Sequence, residues 1–234
     1  MATILLVETA TSVCSVGLAR QGRLVSLRES NEQRSHAALI TVLIQECLNE
    51  ARISFNELDA VAVSRGPGSY TGLRIGVSTA KGVCYAKDIP LIAINTLQAM
   101  ADGFSDIYSN RIQANDLLIP MIDAKRMEVY ATVFTPGLET KETTKAIIID
   151  TESFANLVQH HKLWLFGDGA DKCHTILSKQ KQITIVNGFV PSAGYMARLA
   201  QQAFVDGSFE DVAYFEPFYL KDFVAAIPKV KGLE

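Results

Sequence analysis

Between Ser64 and Gly76 the chain reads Ser-Arg-Gly-Pro-Gly-Ser-Tyr-Thr-Gly-Leu-Arg-Ile-Gly, with five of thirteen positions glycine or proline. An apolar run of strand length, Ala60–Ser64, precedes it, and apolar residues at helical spacing follow from Gly72 to Lys87. The pattern predicts a strand, a tight loop over Arg65–Thr71 and a helix, because glycine permits the positive φ and close approach that a short reversal needs. Pro90 stands where that helix must have stopped. Leu91–Asn95 then reads as a buried strand and Thr96–Asp102 as a helical turn or short helix. Alternating strands and helices of this kind imply an α/β fold with a partly parallel sheet.

The flanking segments extend the pattern. Residues 3–7 are apolar, 13–19 are rich in Val, Ala and Leu, and Leu24–Leu27 follows the turn signal Gln21-Gly22, which predicts strand, hairpin, strand. His36, Leu39, Ile40, Leu43, Cys47, Leu48 and Ala51 have the spacing of an amphipathic helix, with Ser35 as its N-cap. Ser105–Asp116 is polar and without period, so it is the expected hinge between a lobe over 1–105 and another over 106–234, whose last residues are free to pack back on the first. In the second half, Leu117–Ile122, Val129–Phe134, Ala146–Ile149 and Leu163–Phe166 read as strands, and Thr151–His160 and Ser192–Phe204 as helices.

Composition removes several function classes. A net charge of −3 leaves no dense basic face for gripping a phosphate backbone, so any nucleic acid is reached through a partner or a local patch. The apolar runs are far short of the roughly 20 residues a membrane span requires, and no basic leader opens the chain, so a cytoplasmic protein is expected. Cys14, Cys47, Cys84 and Cys173 form no C-x-x-C pair and read as small buried hydrophobes. His36, His160, His161 and His174 lack any i, i+4 pairing, which suits capping or surface roles, and no metal site is expected.

Chemistry is concentrated near the glycine-rich loop. Its amides stand at a helix N-terminus, and Arg65 and Arg74 could add charge, so Gly66 and Gly68 are candidate phosphate contacts. The spacing of Gly66, Gly68 and Gly72 misses G-x-G-x-x-G, and no Gly-Lys-Ser/Thr opens the helix; a tight turn explains the same glycines. Glu8 with Thr9, and Asp123, follow apolar strands at positions where a nucleotide could be held between lobes, with Gly167-Asp168-Gly169 as a turn on its far side. Equally, such carboxylates bond loop amides. No G-x-S-x-G elbow supports a serine nucleophile. Leu73, Gly76, Val77, Ala80 and Cys84 form a stripe of small and apolar residues that suits packing on the chain's own sheet or the close approach of another helix.

The Ser64–Gly76 segment closely resembles the signature of the bacterial TsaB (YeaZ) family. Glu8-Thr9-Ala10-Thr11 with Cys14-Ser15-Val16, Ile122–Tyr130, Gly167-Asp168-Gly169 and Pro217–Lys221 extend the similarity along the chain. The resemblance implies an α/β fold of the actin, sugar-kinase and Hsp70 type, with two related ribonuclease-H-like lobes. It also implies a non-catalytic partner of the TsaD transferase in forming threonylcarbamoyladenosine beside the anticodon of ANN-decoding tRNAs, together with a TsaE-type ATPase. In the related TsaD pattern, the segment after I-P-L-I carries two metal-binding histidines four apart; here Thr96 and Met100 stand in those places. The resemblance further implies a docking surface on His36, Leu39, Ile40, Leu43, Leu73, Gly76, Val77, Ala80 and Cys84, for TsaD or for a second copy when TsaD is missing. No cofactor is expected in this chain alone, with ATP or ADP at most at a junction with partners. The competing expectations are an actin-fold phosphotransferase using Glu8, Asp123 and the glycine loop on ATP, and a metallopeptidase.

Overall fold

The computed structural model describes residues 2–31 and 36–221. Its first strand, β1 (Thr3–Glu8), is buried along its whole length, as a nearly continuous apolar run demands of a central strand. A turn leads to β2 (Cys14–Arg20), and Gln21 and Gly22, at φ of 51° and 73°, return the chain as β3 (Arg23–Ser30). Both pairings are antiparallel. After α1 (His36–Ala51), β4 (Ala60–Gly66) lies parallel to β1, and α2 (Tyr70–Lys87) crosses to β5 (Leu91–Asn95), parallel to β4. The sheet order is β3-β2-β1-β4-β5. Ser35, the expected cap of α1, lies outside the described residues.

The second half repeats this plan. α3 (Thr96–Ile107) leads to the antiparallel run β6 (Leu117–Asp123), β7 (Glu128–Phe134) and β8 (Thr140–Ile148). A single helical turn, α4 (Ala155–Val158), precedes β9 (Leu163–Phe166); α5 (Asp168–Leu177) then crosses to β10 (Ile183–Val186). The order β10-β9-β6-β7-β8, with β9 parallel to β6 and to β10, matches the first sheet strand for strand when read from β8. A 3₁₀ turn at Ala193–Met196 and α6 (Ala197–Val205) return to the first lobe, where Met196, Ala197 and Ala200 pack with Ile4, Leu6 and Ile92. None of the helices among the described residues is long and apolar enough to cross a membrane.

Several segments depart from expectation. The loop after β4 shrinks to Pro67–Ser69, because the strand runs on to Gly66 and Ser69 caps α2 through its side chain, accepting from Gly72 N at 3.2 Å. The helix expected over Thr151–His160 is reduced to α4. Asp150 and Ser153 capture the amides of Glu152 and Asp150, and Phe154 sits at φ 68°, so local turns win. The polar segment expected as a hinge begins inside a helix: its first residues belong to α3, so a boundary at 105 falls within that helix. Its far end is anchored by Asp116, 4% exposed, which accepts from Trp164 Nε1 at 2.8 Å and from Gln113 N at 3.0 Å.

α3 joins the lobes. Leu97, Met100, Ala101 and Phe104 pack with Leu118, Ile122, Trp164 and Phe166 of the second sheet, and the Phe104 ring stacks on Phe166 with centroids 3.9 Å apart. Phe104→Ala is expected to cost about 3–5 kcal/mol, read as a lowered urea midpoint.

Candidate functional site

The carboxyl ends of β1, β4 and β6 point into the space between the lobes, which opens as a cleft of about 800 Å³. The first lobe contributes Ala10–Ser12, His36 and the loop from Pro67 to Gly72; the second contributes Ile122–Lys125, Tyr130 and Asp168. Phe218–Lys221 lines it as well. In volume it falls within the range of small-ligand sites.

Glu8 does not face this cleft. It ends β1 at 1% exposure, with Oε1 accepting from Ala10 N at 2.6 Å and Oε2 without a hydrogen-bond partner among the described residues. Burial pushes its carboxyl up to about 7, against the pull of the Ala10 amide. Thr9 is fully buried, its amide directed to Ser64 Oγ at 3.4 Å. The loop glycines serve this buried turn: a Cβ on Gly68 or Gly72 would overlap the Ala10 or Thr9 carbonyl, and one on Gly76 the Thr9 hydroxyl. Ser69 N donates to Ala10 O at 2.6 Å, so amides expected to face an anion hold the β1–β2 turn. Gly66, at φ 106°, lies beneath Phe218, and the Arg65 guanidinium stands 5.8 Å from the Phe218 ring centre.

On the opposite wall Asp123 ends β6. It accepts from Lys125 N at 2.7 Å and pairs with the Lys172 ammonium, which also donates to Glu128 O at 2.7 Å. Burial would raise the Asp123 carboxyl, but Lys172 and the Lys125 amide outweigh it and hold it below the usual carboxylate range. Asp168, at the start of α5, accepts from Asp123 N at 3.0 Å and is raised by burial and by the neighbouring Asp123 charge.

Of the six residues expected to touch a nucleotide, the structure brings only Gly68 and Asp123 to the cleft wall. Glu8, Thr9 and Gly66 are buried, and Arg65 is half-buried against Phe218. An actin-like fold implies a magnesium nucleotide between its lobes, and these residues do not fit one. One carboxylate is sealed, the other is taken by an ammonium, and the glycine seats are filled by the chain's own carbonyls. Thr96 and Met100, fully buried, pack inside the protein, and among the described residues no group of three or more His, Cys, Asp or Glu is arranged to hold a metal.

The docking stripe also needs correction. Ile40, Leu43, Leu73, Gly76, Val77, Ala80 and Cys84 are all buried, and Ile40, Leu43, Val77, Ala80 and Cys84 pack with Leu5, Val16 and Val63 of the chain's own sheet. Leu39 packs partly against the same core, and His36 bonds Thr11 O through Nε2 at 2.8 Å. The apolar stripe of a helix lying on a sheet faces the sheet. Among the described residues the open face is the reverse one: Ala37 and Thr41 of α1 and Arg74 and Ser78 of α2, with the edge of Ile40, line a groove of about 530 Å³, and Val42 and Tyr85 on the same helices are 51% and 86% exposed. Gly82 belongs to this face, and a Cβ there would meet none of the described residues within 4 Å.

Glu8 yields a signed prediction. A carboxyl at about 7 in the folded state and at its ordinary 4.5 when unfolded keeps its proton longer in the fold. It therefore lowers stability progressively as pH rises from 4.5 to 7, by about 3 kcal/mol in full. Glu8→Gln is expected to melt above the parent at pH 8 and close to it at pH 4, by calorimetry.

Comparison with known proteins agrees with this architecture. A family model described as TsaD, tRNA N6-adenosine threonylcarbamoyltransferase, matches residues 30–229. The tRNA threonylcarbamoyladenosine biosynthesis protein TsaB of Haemophilus influenzae is 30% identical over 229 residues, 94% of each chain. YeaZ from Pseudomonas aeruginosa superposes with a TM-score of 0.76 at 23% identity, over 94% of this chain and 100% of that one. The activator of 2-hydroxyisocaproyl-CoA dehydratase from Clostridium difficile shares the two-lobed actin-like fold, with a TM-score of 0.50 at 8% identity over 88% and 96% of the two chains. With the family model spanning most of the chain and the curated relative nearly all of it, the chain belongs to the TsaB (YeaZ) family of tRNA threonylcarbamoyladenosine biosynthesis proteins, within the wider group that the TsaD model describes.

Proposed function

We propose that this chain is a non-catalytic subunit of the assembly that transfers threonylcarbamoyl to the adenosine beside the anticodon of ANN-decoding tRNAs. Its task is to bind a TsaD-type transferase and hold it in an active arrangement, together with a TsaE-type ATPase. Nucleotide is then held at a junction with those partners, and tRNA meets the assembly rather than this chain alone. In the absence of TsaD, the same face pairs with a second copy.

The observation that carries the reading is the outer face of α1 and α2. Glycine inside a helix costs about 1 kcal/mol relative to alanine, and at Gly82 nothing in the packing of the described residues requires it. An approaching helix does. Together with Ala37, Thr41 and Ser78, it leaves a low surface flanked by Val42 and Tyr85, suited to a partner burying roughly 800 Å² per side. The sealed carboxylate and the Asp123–Lys172 pair support a role without chemistry in this chain. They also weigh against a stand-alone phosphotransferase.

Gly82→Arg and Val42→Asp are expected to leave the melting temperature within a few degrees of the parent and to abolish co-elution with the host's TsaD in size-exclusion chromatography. An intact complex in both variants overturns the docking face. Deleting the gene is expected to remove threonylcarbamoyladenosine from hydrolysed tRNA, measured by mass spectrometry; an unchanged level, with no paralogue present, overturns the function.

A further inference from the structure

The segment after α6 returns along the first lobe and then leaves it. Glu210 N donates to Leu91 O at 2.9 Å, and Lys81 Nζ donates to the carbonyls of Ala213 and Phe215 at 3.0 and 3.2 Å. Phe218 N donates to Arg65 O at 2.7 Å, and its carbonyl rests on Gly66, where a Cβ would come within 2.7 Å of it. The Tyr219 ring packs on Tyr70 with centroids 4.8 Å apart, and its hydroxyl accepts from Arg74 Nε at 3.3 Å. Two residues later the chain has reached the other lobe, where the Lys221 ammonium pairs with the Glu128 carboxylate at the start of β7.

We infer that the chain's own Phe218–Lys221 segment is a latch across the mouth of the interlobe cleft, bound to the first lobe by aromatic and backbone contacts and to the second by an ion pair. The segment has the chemistry of such a latch: the Phe218 ring stands by the Arg65 guanidinium, the Tyr219 ring packs on Tyr70, and the Lys221 cation meets the Glu128 carboxylate. Gly66 is shaped for it, since its positive φ and bare α-carbon admit the Phe218 carbonyl. Among the described residues the Lys221–Glu128 pair joins this segment to the second lobe by a charge, and at 39% and 21% side-chain exposure it is partly screened. A pair of that kind shifts an open–closed equilibrium by roughly two- to fivefold. The tie to the second lobe is therefore weak enough to release, while the segment itself forms part of the lining of the open cleft.

The test is hydrogen exchange by mass spectrometry on the full chain, comparing the parent with Lys221→Glu, Glu128→Lys, the double charge reversal and Tyr219→Ala. Each single reversal is expected to speed exchange of the Phe218 amide roughly two- to fivefold, and the double reversal to restore it. Glu128 lies in the opposite lobe, so its effect on an amide bonded to Arg65 reports a tie across the cleft. Tyr219→Ala is expected to speed exchange at Asp123 and Lys125, on the opposite wall of the cleft. Parent-like exchange at Phe218 in Glu128→Lys, failure of the double reversal to restore protection, or unchanged exchange at Asp123 and Lys125 in Tyr219→Ala overturns the latch.

Discussion

The first lobe depends on how closely two backbones approach. The turn after β1 presses its Thr9 and Ala10 carbonyls onto the N-terminal turns of α2, at glycines where any side chain would overlap them. This seats α2 on the sheet and directs the Ser69 amide inward. It also seals Glu8 beneath the turn, where its second carboxylate oxygen finds no partner among the described residues. A loop with the composition of an anion site is in this way spent on the protein's own main chain. A buried, half-satisfied acid is tolerated where the surrounding structure over-determines it.

The opposite wall reaches a similar result by charge. Lys172, projecting from α5, neutralises Asp123 and bonds the Glu128 carbonyl, doing with an ammonium what a bound cation does elsewhere. The two walls are held in register by α3, whose aromatic and aliphatic side chains belong to the second sheet's core although the helix follows the first sheet directly in sequence. The lobes are thus related in plan but differ in what their helices cover.

Much of the framework was legible in the sequence because apolar runs and glycine punctuation report directly on strands and turns. β1, β9 and the ends that place Glu8 and Asp123 came from that signal. The resemblance supplied the duplicated lobe, which no sequence period reveals. What stayed illegible depends on partners distant in sequence. The inward direction of the α2 stripe needed the sheet to be in place. α5 escaped notice because Asp168, Gly169, Asp171 and Lys172 look like a loop, whereas Gly169 is small so that the helix start can lie against the Met121 and Ile122 backbone. The second half of the Thr151–His160 periodicity formed only a single turn, since side chains of Asp150 and Ser153 satisfied the backbone first.

The chain's single tryptophan occupies the seam where α3 meets the second sheet. Trp164 is 1% exposed, its indole N–H held by buried Asp116, with the Lys162 ammonium 4.2 Å and the Arg111 guanidinium 5.4 Å from its ring centre. Its fluorescence is therefore an optical signal from one place only. A loosening of α3 from the second sheet admits water to the indole and moves its emission to the red, while events confined to the outer faces of α1 and α2 leave it dark to the probe. The protein carries a built-in reporter of whether its two halves are clasped.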